Sequence, residues 1–232
     1  MKLEKVTSTA KDGERRWYDD ACGTAHALEL VGERWSLLIV RELMFGGRRF
    51  GELRGGLGGI SANVLTQRLA SLEHAGIVRR RTLPPPTSAQ VYELTAWGYE
   101  AEPAIQSLGR WAARSPDHDP TLPFSPASMM LSLRTMLGTG GSTSGASMTL
   151  RFLFGAESFV ATLSNDALPV VRGDGPSGVV VTTDPVTLAS VIYGKRPVED
   201  AEAEGSLSLA GDRAAFARFV DLFDLPPKAV VE

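Results

Sequence analysis

Cysteine is almost missing from this chain, where Cys22 stands alone. One thiol makes neither an internal disulfide nor a multi-cysteine metal site, which removes the disulfide-framed scaffolds and leaves open only a bridge between subunits. Histidine is nearly as scarce: His26, His74 and His118 have no other histidine or cysteine three or four residues downstream. No G-x-S-x-G, phosphate-loop or dinucleotide-binding motif occurs either. The expectation is a protein that is not an enzyme, with no catalytic residue, no metal and no cofactor. An uninterrupted apolar run of about 18 residues, the length of a membrane span, is also absent. The N-terminal MKLEKVTSTAKDGERRW lacks the apolar core of a signal peptide. A cytoplasmic location without a membrane partner is expected.

What is present is enough apolar material for packed cores, 43% of 232 residues, and a length that suits two ordinary domains. The net charge of −3 hides an asymmetry: residues 1–115 carry +3 and residues 116–232 carry −6. Nine arginines fall between Arg34 and Arg81 against Glu42, Glu52 and Glu73. Such a patch suits a phosphate backbone, because each neutralised phosphate releases counterions. The acidic half is expected to avoid nucleic acid.

The stretch ISANVLTQRLASLEHAG, residues 60–76, organises the basic half. Leu65, Leu69 and Leu72 form one stripe of a helix, while Asn63, Thr66, Gln67, Ala70 and His74 lie on or near the other side. Ser61 is placed to cap the start and Gly76 to end it. A short polar face suits base edges in a major groove, although many surface helices are also polar on one side. Upstream, AHALELV reads as a helix with Ala25 and Leu28 inward, and RWSLLIVRELMFGG as a helix buried on more than one side. RRFGELRGGL is a short helix before a glycine-rich turn, completing a helix-turn-helix. Downstream, Ile77–Leu83 and Gln90–Leu94 read as strands around PPPTSA, a hairpin that forms a wing. Arg79, Arg80 and Arg81 lead into it and, with Arg48 and Arg49, are the expected phosphate contacts.

The spaced motifs C-x3-H-A-L-x-L-V-G-E-R-W, R-R-F-G-E-L, G-I-S-x-x-V-L-T-Q-R-L-x-x-L-E-x-A-G-I-V-x-R and Y-E-L-T-x-x-G span roughly Cys22 to Trp111. In that span the chain resembles the HxlR-type winged helix-turn-helix regulators. The resemblance implies a homodimer that places one recognition helix per subunit in a major groove of double-stranded DNA, with Ser61, Asn63, Thr66, Gln67 and Arg68 at the matching positions. A two-fold dimer matches a palindromic operator. The resemblance also makes Cys22 a candidate redox residue, since some such regulators sense oxidants or electrophiles near the N-terminus. The other reading of Cys22 is a small buried residue near the dimer helices.

Residues 95–115 read as helical, restarted at Pro103, with Ile105, Leu108, Trp111 and Ala112 as an apolar stripe fit for a dimer surface. SPDHDPTLPFSP is a polar, proline-rich linker, which gives the boundaries 1–115, 116–124 and 125–232. The last segment reads as helix, several strands, two helices, strand, helix: an α+β domain with a largely antiparallel sheet. Its F-L-F-G, V-V-V-T-T-D-x-x-x-L and Y-G-K-R-P-V-E-D-A-E-A-E-G-S-L-S-L-x-G-D words are similar to a sterol-carrier-protein-like domain. That similarity implies an apolar tunnel for a small apolar or amphipathic ligand, with Met129, Leu133, Met136, Phe152, Phe154 and Phe219 as candidate lining or, alternatively, as core filler. A lipid-like ligand carrier or scaffold in which DNA binding is secondary is the competing reading of the whole chain.

Overall fold

Ser61, Thr95, Ser125, Asp184 and Asp212 decide where five of the helices begin, each side chain accepting a first-turn N–H. The computed structural model describes residues 18–230. The charged arm 1–16 and the anchor expected at Trp17 lie outside them.

The first part comprises α1 (Gly23–Val31), α2 (Ser36–Leu43), α3 (Phe50–Gly56), α4 (Ala62–His74), β1 (Val78–Thr82), β2 (Gln90–Leu94), α5 (Ala96–Tyr99) and α6 (Glu102–Ala112). Leu65, Leu69 and Leu72 of α4 are buried, together with Ile39, Val40 and Leu43 of α2 and Leu53 of α3. This three-helix core fixes the angle at which the outer face of α4 is shown. β1 and β2 pair antiparallel from Val78↔Leu94 to Thr82↔Gln90. Pro103 sits in the first turn of α6, where its missing N–H has no helical partner to lose. Leu28 departs from the expected pattern. It is 51% exposed, and α1 buries no residue at all.

The second part comprises α7 (Pro126–Met136), β3 (Met148–Phe154), β4 (Glu157–Leu163), β5 (Val170–Arg172), β6 (Val179–Thr183), α8 (Pro185–Ile192), α9 (Val198–Ala203), β7 (Leu207–Gly211) and α10 (Arg213–Val220). The strand order is β5-β4-β3-β6-β7. Alternation buries Leu150, Phe152 and Phe154 on β3 and Phe159, Ala161 and Leu163 on β4, against apolar residues of α7, α8 and α10. The sheet is mixed rather than simply antiparallel: β6 returns alongside β3 in parallel, with Phe152↔Val181 in register. Period-two alternation reports which face is buried and carries nothing about strand direction.

One apolar cluster runs through both parts. Phe45, just past α2, meets Phe159 of β4 edge-on at 5.8 Å. Phe124 of the proline-rich segment packs against the same cluster, and Lys228 holds the chain's return path by donating to the carbonyls of Ala113, Ser115 and His118.

Candidate nucleic-acid interface

Ser61 starts α4 by accepting the Val64 N–H at 3.2 Å, which sets the helix phase and turns Asn63, Thr66 and Gln67 to solvent. Asn63, Thr66, Gln67 and Ala70 are all exposed and share a face. The Thr66 hydroxyl donates to the Ala62 carbonyl at 2.9 Å, so its lone pairs and methyl remain outward for a partner. Arg68 lies to the side, half-buried, with its guanidinium on Glu33 at 2.9 Å. It ties α4 to the turn that follows α1.

The wing is less positive than three successive arginines suggest. Arg79 and Arg81 share one face of β1 and both reach Glu93, at 2.7 and 2.8 Å. Arg80, on the other face, pairs with Glu73 at 2.8 Å and lies over the Tyr92 ring. Three guanidiniums against two carboxylates leave one net positive charge, on side chains still about half exposed or more. Arg49 adds an exposed charge at the start of α3.

Arg48 does not belong with them. Its side chain is 7% exposed, with Nη1 3.5 Å from Glu42 and Nη2 3.0 Å from Glu157 on β4. Glu42 is fully buried and also accepts from Arg41 at 3.0 Å and from the Ser125 hydroxyl at 2.5 Å. Arg172 takes the other oxygen of Glu157. Burial, then the neighbouring Arg48 charge, pushes the Arg172 guanidinium down to about 10. The expected phosphate contact at Arg48 is therefore an internal ion pair that joins the two parts. The sequence held one sign of this in Glu42, a charge inside a helix that is otherwise apolar nearly all round.

Cys22 is exposed, which overturns the packed reading. It stands at the N-cap of α1, where the Thr24 N–H, the Thr24 hydroxyl and the Ala25 N–H draw its thiol below the usual range. Asp20, expected to oppose this, instead accepts the Cys22 backbone N–H at 2.9 Å. Iodoacetamide should alkylate the native thiol with a midpoint below about 8.5, rising to that value in urea. Equal midpoints in the two states would mean that the start of α1 does nothing to the thiol.

The six residues expected to line a ligand tunnel are buried in the core instead. Phe152 stacks on Phe154 at 6.3 Å and meets Phe219 at 6.0 Å, while Met129 and Leu133 are fully buried beside them. Of the six, Met136 alone also borders one of the apolar hollows found at the seam between the two parts.

A helix-turn-helix followed by a two-stranded wing defines the class of the first part. A family model described as HxlR-like helix-turn-helix matches residues 30–120. The chain is 35% identical over 86 residues to the HTH-type transcriptional regulator YvaP of Bacillus subtilis, covering 37% of this chain and 80% of that protein. It is 40% identical over 87 residues to the HTH-type transcriptional regulator sll1512 of Synechocystis, covering 38% of this chain and 64% of that relative's length. Among solved structures, the reduced form of the transcriptional regulator YodB from B. subtilis is 34% identical, covering 42% of this chain and 98% of that one, with a TM-score of 0.39. Through its N-terminal part, this chain belongs to the HxlR-like helix-turn-helix family.

Proposed function

We propose that this protein is a DNA-binding transcriptional regulator that acts as a homodimer on a palindromic operator, with α4 in the major groove and the β1–β2 wing on the flanking backbone. The observation that carries this reading is the outward set Asn63, Thr66 and Gln67 on a helix whose other side is fully buried, flanked by exposed Arg49 and Arg79–Arg81. The named relatives are transcriptional regulators. Dimerisation is supported by surface that one chain leaves uncovered. Leu28 on α1 is half exposed, and Leu108 and Trp111 on α6 are 49% and 73% exposed. A nine-residue helix that buries nothing is too short to be stable alone in water, so α1 needs a partner surface.

The division into residues 1–115, a 116–124 connector and 125–232 is part of this reading, as is a sterol-carrier-like origin of the second unit, supported by its helix–sheet–helix order. An apolar hollow at the seam favours ligand control of the regulator, and equally a carrier role as the second reading. The test is anisotropy with DNA from the chain's own upstream region and with random DNA at two salt concentrations. Preference for the upstream DNA is expected, and Arg49→Ala should lower the log–log salt slope by about one. Equal affinity for both DNAs with a flat salt dependence would favour the carrier reading.

A further inference from the structure

A cavity of about 670 Å³ lies between the segment 118–124, α7 and α8. It is apart from the residues first expected to hold a ligand. Leu122 and Phe124 form its roof, Ser128 and Ser132 of α7 one wall, and Val186 and Tyr193 of and just after α8 the other. It shares His118, Ser128, Ser132 and Leu225 with a second hollow of about 560 Å³, whose far side is Leu38 of α2 and Leu108 of α6. A volume of this size suits a small organic molecule.

The hydroxyls in the wall say what such a molecule must carry. Ser132 Oγ and Tyr193 OH lie 2.7 Å apart, so one donates to the other. Two hydroxyls have two protons, and this single bond uses one of them; the second is left to donate into the cavity. Burial pushes the Tyr193 hydroxyl up, so it keeps its proton and stays a donor. Lysine and arginine are absent from the lining, and Asp119 is its one carboxylate, which disfavours an anionic occupant. Apolar walls, an available donor and no cation fit a neutral molecule with an acceptor at one end. A fatty acid or a phosphorylated ligand does not meet those terms.

We propose that this cavity binds a neutral, mostly apolar small molecule whose carbonyl or ether oxygen accepts a hydrogen bond from the Ser132–Tyr193 pair. The site is formed by the connector folding over α7 and α8. This inference does not rest on DNA reading, and its test contains no DNA.

The probe is prodan, a neutral naphthyl ketone whose emission responds to its surroundings, titrated into the full-length protein. Saturable blue-shifted binding of one prodan per chain is expected. Val186→Phe, which fills the cavity from α8, should weaken it at least tenfold. Tyr193→Phe keeps the ring and removes one hydroxyl, and should weaken it about threefold to tenfold. Circular dichroism on both variants identifies any that fails to fold, and Tyr193→Phe carries the test if Val186→Phe does. Absence of saturable binding, or affinity unchanged in the folded variants, would overturn the proposal.

Discussion

Arg48→Ala is expected to lower the stability of the whole chain while leaving the salt dependence of DNA binding intact. The substitution strands Glu42, which has no exposed surface, and frees Glu157 on the other side of the seam. Removing one partner of a buried ion pair costs about 3–5 kcal/mol, because the remaining charge is left without compensation. Arg41 and the Ser125 hydroxyl stay on Glu42, which brings the expectation to about 2–4 kcal/mol. A urea titration measures it as a lower midpoint at an unchanged slope. A stable Arg48→Ala protein with a salt slope reduced by about one would return Arg48 to the DNA surface.

Phe159→Ala should cost about 3–5 kcal/mol, the range for emptying a fully buried aromatic site. Phe159 touches Phe45 at 5.8 Å and Phe154 at 6.2 Å, and the Arg172 guanidinium stacks on its ring at 4.5 Å. The diagnostic part is where the loss is felt. All four tryptophans, Trp17, Trp35, Trp97 and Trp111, precede the connector, whereas Phe159 lies in the sheet beyond it. If the apolar cluster makes the two parts one cooperative unit, tryptophan fluorescence and circular dichroism should report the same lowered midpoint. A tryptophan transition that stays in place while the circular dichroism transition moves would show two parts that unfold separately.

These two residues also mark where reading the sequence stopped working. The local signals held: the Ser61 cap, the Leu65–Leu69–Leu72 stripe, the restart at Pro103 and the strand at Met148–Phe154 each depend on neighbours a few residues away. The mistakes concern partners far along the chain. Arg48 looked like surface because Glu157, more than a hundred positions later, is what buries it. Phe152 and Phe219 looked like tunnel walls because composition does not say whether two aromatic rings face a void or each other. Leu28 looked inward because the apolar spacing of α1 reports a buried face without saying whose surface buries it. The cavity was hidden for the same reason. Its wall joins Ser132 to Tyr193 across 61 positions, and its roof was read as a polar connector with little to bury.

The central claim is that α4 reads bases, and Gln67 tests it most directly, since it stands in the middle of the exposed face and takes no part in the core. The measurement is the affinity of Gln67→Ala for the specific upstream site and for random DNA of the same length, in the same salt. Loss of about 1–3 kcal/mol on the specific site with random DNA unaffected is the expected result. Equal loss on both DNAs, or none on either, would contradict the assignment of α4 as the recognition helix.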